Sequence, residues 1–370
     1  MKELLPMAPP SALEAIDMKP PRIDQPFVHG SVESPAGKIP RVSSSLGWKD
    51  HWGTINARLG VGRMHYTVDP GLYALGQPDK ESPVLVTANY KLSFDSLRSA
   101  LPGRNAWILV LDTKGINVWC AAGKGTFGTV ELVRRISASP LKDLLLHRSL
   151  ILPQLGAPGV AAHLVKKSSG FTVHYGPVRA EDLGAYLGAG MKASPEMRQK
   201  TFPLRDRLVL IPIELKEALK AALVAIFVML LLIGFMGPGG FMENILKDGP
   251  FSFMAILGSV LAGTVLTPLL LPHLPGRAFT TKGLSAGSLT AIALLFLGGF
   301  DLHSLHGLLT AGAWLLMISA IAAYLAMNFT GASTYTSLSG VKKEMRWALP
   351  LEIITGIFGF VVWIISRFPL

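Results

Sequence analysis

The sequence predicts an α/β domain with a mostly parallel sheet, followed by an all-α transmembrane domain of five helices. Two observations carry this. Half of the 370 residues are hydrophobic and only 16% are charged, a low charge content for a wholly soluble protein, and the deficit lies after Lys216, where apolar runs alternate with short polar gaps. Between about 50 and 212, short β-rich runs alternate with stretches of helical spacing, the pattern of a Rossmann-like sheet covered on both faces.

Three segments follow from this. Residues 1–48 read as a proline-rich flexible lead-in, since MKELLPMAPPSALEAIDMKPPRIDQP lacks the apolar core of a signal peptide. Residues 49–212 form the α/β domain, with strands expected at PVLVTA (83–88), WILVLD (107–112), SLILPQ (149–154), FTVHYG (171–176) and RLVLIPI (207–213). Helices are expected in FDSLRSAL, GTVELVRRISAS, GVAAHLVKKS and AEDLGAYLGAG. In such sheets ligands sit beyond the carboxyl ends of the strands. That directs attention to Thr87 and Asn89, to 112–124, to Gln154 through Gly159, and to Tyr175 through Arg179.

Residues 213–370 form the membrane domain, with spans at about 217–236, 251–271, 284–300, 307–327 and 349–366, each near the ~20 apolar residues that cross a bilayer. Arg205, Arg207, Lys216 and Lys220 precede the first span, Arg277 and Lys282 lie between the second and third, and Lys342, Lys343 and Arg346 between the fourth and fifth. The positive-inside rule then places the N-terminal domain in the cytoplasm and the C-terminus outside. The net charge of +11 belongs to this pattern and not to nucleic-acid binding, because no basic helix or aromatic-interleaved groove motif accompanies it.

The single cysteine lies in GINVWCAAGKGTFGT (115–129). Asn117 is a plausible N-cap for a short helix from Val118 to about Gly123, with Cys120 in its first turn. A thiolate there faces the positive end of the helix dipole, and Lys124 lies one turn on. Trp119, Ala121 and Ala122 offer one aromatic and one small surface, suited to a planar ligand. The alternative is a buried cysteine acting as a small hydrophobe. A further alternative is nucleotide binding through GKGTFG (Gly123, Gly125, Gly128). Those glycines begin eleven residues after Asp112, and the basic Arg148 stands where a ribose-binding acid is wanted. One cysteine does not hold an iron–sulfur cluster, so electrons must come from a partner. No zinc spacing and no G-x-S-x-G elbow appears.

The stretch Asn117-Val118-Trp119-Cys120-Ala121-Ala122-Gly123-Lys124 resembles the N-[VI]-W-C-[AS]-[AG]-G-K signature of the HgcA family, the membrane-anchored corrinoid proteins of microbial mercury methylation. TANYKLSFDSLRSAL, PQLGAPGVAAH and YGPVRAEDL resemble the corrinoid domain of the large corrinoid iron–sulfur protein family, and the likeness extends into NFTGASTYTSLSGVKKEMR. The resemblance implies a base-off, cobalamin-type corrinoid whose cobalt takes Cys120 as its lower axial ligand, over a cap formed by Asn117 to Lys124 with Gly125. It implies that Thr87 lies near the other face of the cobalt, and assigns Asn89, Gln154, Gly156, Gly159, Tyr175 and Arg179 to the corrin periphery. The implied activity is transfer of a methyl group from methyl-cobalt(III) corrinoid to Hg(II), forming methylmercury, at the cytoplasmic membrane of a prokaryote. The implied partners are a small ferredoxin-like [4Fe–4S] protein, as electron donor and carrier of mercury, a methyl donor from the folate pathway, and membrane lipid. Two rival functions stand beside it: a corrinoid methyl carrier with a different acceptor, and a nucleotide-dependent membrane oxidoreductase.

Overall fold

A computed structural model describes residues 18–35, 37–332 and 338–368. The proline-rich stretch up to residue 17 and part of NFTGASTYTSLSG lie outside the described residues. The chain divides into two compact units, Met1–Lys200 and Thr201–Leu370.

The first unit is built on a seven-stranded sheet of order β1-β2-β3-β5-β4-β6-β7. Its strands are β1 (Val28–Ser34), β2 (Gly37–Val42), β3 (Gly71–Leu75), β4 (Val84–Ala88), β5 (Ala106–Leu111), β6 (Ser149–Leu152) and β7 (Thr172–Tyr175). β5, β4, β6 and β7 are mutually parallel, as is the β2/β3 pair, whereas β1/β2 and β3/β5 are antiparallel. The expected mostly parallel sheet is therefore present with an antiparallel extension. β4 and β5 are buried at every position, as continuous apolar runs must be when helices cover both faces. Strand alternation divides the core. Val84, Val86, Ala88, Leu109 and Leu111 pack with α4 (Thr129–Ser137), while Leu85, Ile108 and Val110 pack with α2 (Lys91–Ser99).

Two expectations are corrected here. The flexible lead-in to residue 48 instead includes the hairpin β1/β2, joined to the sheet through Arg41–Ala74 and Val42–Leu75. Ahead of it, Gln25 Nε2 donates to the Tyr73 hydroxyl at 2.9 Å, Gln25 Oε1 accepts the Asp69 amide at 3.1 Å, and Phe27 packs on Phe94 and Tyr73. These long-range contacts order a segment whose polar, edge-strand composition gives little local signal. The second correction concerns RLVLIPI, which is not a strand. Leu204–Met236 is one helix, and its first turns bury Arg207 and Ile211 while exposing Leu204 and Leu208, a spacing of four. The boundary between the units accordingly falls at 200/201 and not at 212/213.

A buried ion network joins two helices of this unit. Helix α1 (Trp48–Arg58) directs Asp50 inward, where its carboxylate accepts from Lys91 Nζ and Arg98 Nη2, both at 2.7 Å. Asp95 completes the square with Lys91 at 2.6 Å and Arg98 Nε at 2.8 Å, and Arg98 Nη1 donates to the carbonyls of Ser43 and Ser45.

In the second unit five helices are long and apolar enough to cross a membrane: Leu204–Met236, Phe241–Leu269, Phe279–Leu297, Leu305–Phe329 and Gly340–Ser366. Each overlaps one of the five predicted runs and starts earlier than predicted, and the third is a 19-residue helix. Small residues bring the third and fourth together. A Cβ on Gly287 would stand 2.6 Å from that of Ala322 and 3.0 Å from Ser319 Cα.

Candidate functional site

Because β5, β4, β6 and β7 run parallel, the loops after them open at one edge of the sheet. The chain passes from β4 to its neighbour β5 on one side and later returns to β6 on the other, which makes the β4/β6 edge a topological switch point. The loop after β5 delivers α3 (Val118–Lys124) to this edge, against the short 3₁₀ segment Gln154–Gly159 that follows β6.

Helix α3 starts as its sequence predicts. Asn117 is the N-cap, and its side chain accepts from the Cys120 amide at 2.9 Å. Asn117, Val118, Trp119 and Cys120 are half-buried, Gly123, Lys124 and Gly125 are exposed, and Gly125 closes the helix at φ +84°. Ala121 and Ala122 depart from expectation. They are buried in the core with Val86, Leu109 and Phe127, so their methyl groups anchor the helix instead of facing a ligand.

The loop that carries α3 is held by Asn89. Its Oδ1 accepts from the Thr113 amide at 3.1 Å, the Thr113 hydroxyl at 2.8 Å and the Gly115 amide at 3.0 Å, and its Nδ2 donates to Asp112 Oδ1 at 3.4 Å. Asn89, assigned to the corrin periphery, thus spends its polar atoms on positioning the loop. Glu131 assists by accepting the Asp112 amide at 2.9 Å. Burial opposes ionisation of Asp112, but the ammonium and amide of Lys114 hold its carboxyl below the ordinary value.

The glycines after β6 have a packing reason. A Cβ on Gly156 would stand 2.5 Å from the Phe127 ring, and one on Gly159 would overlap the Phe127 carbonyl oxygen and reach 3.0 Å from Ala122 Cα. Glycine here admits α3 and Phe127, where the sequence suggested close approach to a ligand. Gly159→Ala is expected to lower stability by about 2 kcal/mol, the cost of overpacking against backbone. Thermal unfolding followed by circular dichroism checks this, and an unchanged midpoint contradicts it.

Gln154 and Tyr175 meet at the same edge through Arg198, which sequence reasoning missed. Its Nη1 donates to Gln154 Oε1, to the Tyr175 carbonyl at 2.9 Å and to that of Gly176 at 3.1 Å. The Tyr175 hydroxyl donates to the Val160 carbonyl at 2.6 Å, and burial raises its pKa. Arg179 lies 3.8 Å from Glu181. Thr87 is buried at the end of β4 and pairs with Val110, so it reaches the edge from the α2 face of the sheet, whereas α3 packs on the other. GKGTFG lies between the end of α3 and the start of α4, not between a strand and a helix, and so lacks the context of a dinucleotide fingerprint.

The site coincides with the region of likeness to known proteins. Residues 62–187 match the family model described as CO dehydrogenase/acetyl-CoA synthase delta subunit. The chain is 32% identical over 122 residues to the acetyl-CoA decarbonylase/synthase complex subunit gamma of Methanopyrus kandleri, covering 32% of this chain and 26% of that protein. It is 31% identical over 127 residues to the gamma subunit of Methanocaldococcus jannaschii, covering 34% and 26%. It is 37% identical over 99 residues to the gamma 2 subunit of Methanosarcina thermophila, covering 26% and 21%. The chain thus spans about a quarter of the length of the curated relatives it matches, and the five apolar helices fall outside the family match. The part of the α/β unit that carries Cys120 is thus similar to subunits of CO dehydrogenase/acetyl-CoA synthase and acetyl-CoA decarbonylase/synthase complexes.

Proposed function

We propose that this chain is a corrinoid-dependent methyltransferase that delivers a methyl group to Hg(II), forming methylmercury, with Cys120 as the lower axial ligand to the cobalt of a base-off corrinoid. The observation that carries the reading is the half-buried Cys120 on an Asn117-capped helix laid against the β4/β6 switch point. The donor set fits. Cys120 is a half-buried thiol at the ligand edge of the sheet, the kind of single soft donor that holds the metal of a macrocycle.

When bound, the corrinoid supplies a cobalt–carbon bond from which the methyl group leaves with its electron pair, the form that the electrophile Hg(II) accepts. The chain supplies orientation and electron donation. Cys120 would hold the cobalt through its sulfur, a strong electron donor. Asn117 fixes its amide, Asn89 fixes the loop before it, and Arg198 with Tyr175 fixes the facing loops. Gln154, Trp119, Val118 and the exposed Gly123–Gly125 would hold the corrin ring, and Thr87 would lie near the cobalt. A small ferredoxin-like [4Fe–4S] protein returns electrons and hands over mercury, and a folate-pathway donor restores the methyl group. The chain sits in the cytoplasmic membrane of a prokaryote, with the α/β unit in the cytoplasm and the C-terminus outside, anchored by its five apolar helices. Likeness to subunits of an acetyl-CoA decarbonylase/synthase complex favours a second reading, a methyl carrier with another acceptor.

The deciding experiment is the anaerobic visible spectrum of the methyl-loaded protein before and after Hg(II). A corrin band that changes as methylmercury appears is expected. A corrin band indifferent to Hg(II) selects the other acceptor, and no corrin band after reconstitution overturns both readings.

A further inference from the structure

Helix α1 is turned inside out. Trp48, Trp52, Ile55 and Leu59 recur at helical spacing and form one apolar stripe, and they are 76, 54, 45 and 39% exposed. The opposite side of the helix is the one that packs. Asp50 enters the ion network, Ala57 is buried, and a Cβ on Gly53 would stand 2.5 Å from the Tyr66 hydroxyl. The indoles of Trp48 and Trp52 stack with centroids 6.3 Å apart, and Val61 and Met64 extend the patch. Exposed basic residues flank the stripe, Lys49 on one side and His51 and Arg58 on the other, while the only acid of the helix, Asp50, points inward.

Such a stripe, aromatic in the centre and basic at its borders, matches the interface of an anionic bilayer, where indole rings sit at headgroup depth and cations meet lipid phosphate. The first apolar helix begins at Leu204, six residues after Arg198, which is pinned to the ends of β6 and β7. The segment after α1 is pinned to the same edge of the sheet: the Lys91 amide donates to the Tyr66 carbonyl at 2.9 Å, Thr67 bridges Tyr90, and Gly115 packs against Met64 and Thr67. The segment after α1 and Arg198 therefore share one edge of the sheet.

We infer that α1 is an interfacial helix whose Trp48–Trp52–Ile55–Leu59 stripe inserts between the headgroups and acyl chains of an anionic bilayer. This rests on reading the five apolar helices as spans. The lipid contact leaves the hydrogen bonds around α3 undisturbed.

The test uses the full chain in nanodiscs of phosphatidylcholine and phosphatidylglycerol brominated near the headgroup. Wild type is compared with Trp48→Tyr/Trp52→Tyr and with Ile55→Glu/Leu59→Glu; all four side chains are exposed, so the fold is retained. Wild type is expected to show a component of tryptophan quenching by bromolipid that both variants lose and that shrinks when phosphatidylglycerol is omitted. The inference is overturned if Trp48 and Trp52 stay open to aqueous iodide while Trp314 and Trp363, in the apolar helices, are still quenched. A shift from dimer to monomer in Ile55→Glu/Leu59→Glu, without the bromolipid component, assigns the stripe to a second copy and also overturns it. If Trp314 and Trp363 escape quenching too, the span reading itself fails.

Discussion

Cys120→Ala is expected to lower methyl transfer to Hg(II) at least about 100-fold, since removing even an outer-shell partner of a metal ligand costs 10–100-fold. The variant is expected to stay folded. The N-cap bond of α3 runs from the Cys120 amide to Asn117 Oδ1 and survives the substitution, while Ala121 and Ala122 still anchor the helix in the core. The half-buried thiol leaves no enclosed cavity when it is removed. Two measurements separate ligation from folding. The visible spectrum of the reconstituted protein is expected to lose the features of sulfur ligation, while the thermal midpoint of the α/β unit is unchanged. Full activity in Cys120→Ala refutes the ligand role. A lowered midpoint with an unaltered spectrum returns the thiol to a packing role.

The parts of this site that were legible in the sequence are those governed by local rules. Asn117 announces the start of α3 because N-capping depends on one side chain and the amide three residues on. The strands β4 to β6 are legible because buried strands read as short apolar runs, and β7, an edge strand in which only Val173 is buried, is bounded by Gly170 and Gly176. RLVLIPI has the same surface character and is a helix, because a short apolar run does not distinguish the two and the apolar helix that follows decides. The hairpin at 28–42 is illegible because its order comes from pairing with Ala74 and Leu75, far along the chain. Gly156 and Gly159 mislead in another way. A glycine that admits a ligand and one that admits Phe127 look alike until the neighbour is known. Arg198 carried no motif, since its role is to gather loops that meet only in the folded sheet.

Arg98→Met is expected to destabilise the α/β unit by about 3–5 kcal/mol, the cost of breaking a buried ion pair from one side. Arg98 is fully buried, and its removal leaves Lys91 alone facing Asp50 and Asp95, with the carbonyls of Ser43 and Ser45 unsatisfied. The same network sets a pH dependence. Burial works to raise the pKa of Asp50, but the hydrogen bonds from Lys91, the Gly47 amide and Arg98 outweigh it and bring the carboxyl from 3.8 down to about 2. A carboxyl depressed in the folded state contributes fully above its unfolded value, so about 2 kcal/mol is present above pH 4 and is lost as pH falls towards 2. Unfolding midpoints between pH 5 and 2 should therefore fall steeply in the wild type and less steeply in Arg98→Met, which has already lost part of the interaction. Parallel pH curves for the two proteins rule out this network as their source. Because the network ties α1 and Ser43–Ser45 to α2, and α2 begins at the carboxyl end of β4 beside Asn89, its loss reaches the loop that carries Cys120. Arg98→Met is accordingly expected to weaken corrinoid retention as well as stability, although Arg98 touches none of the residues that surround Cys120.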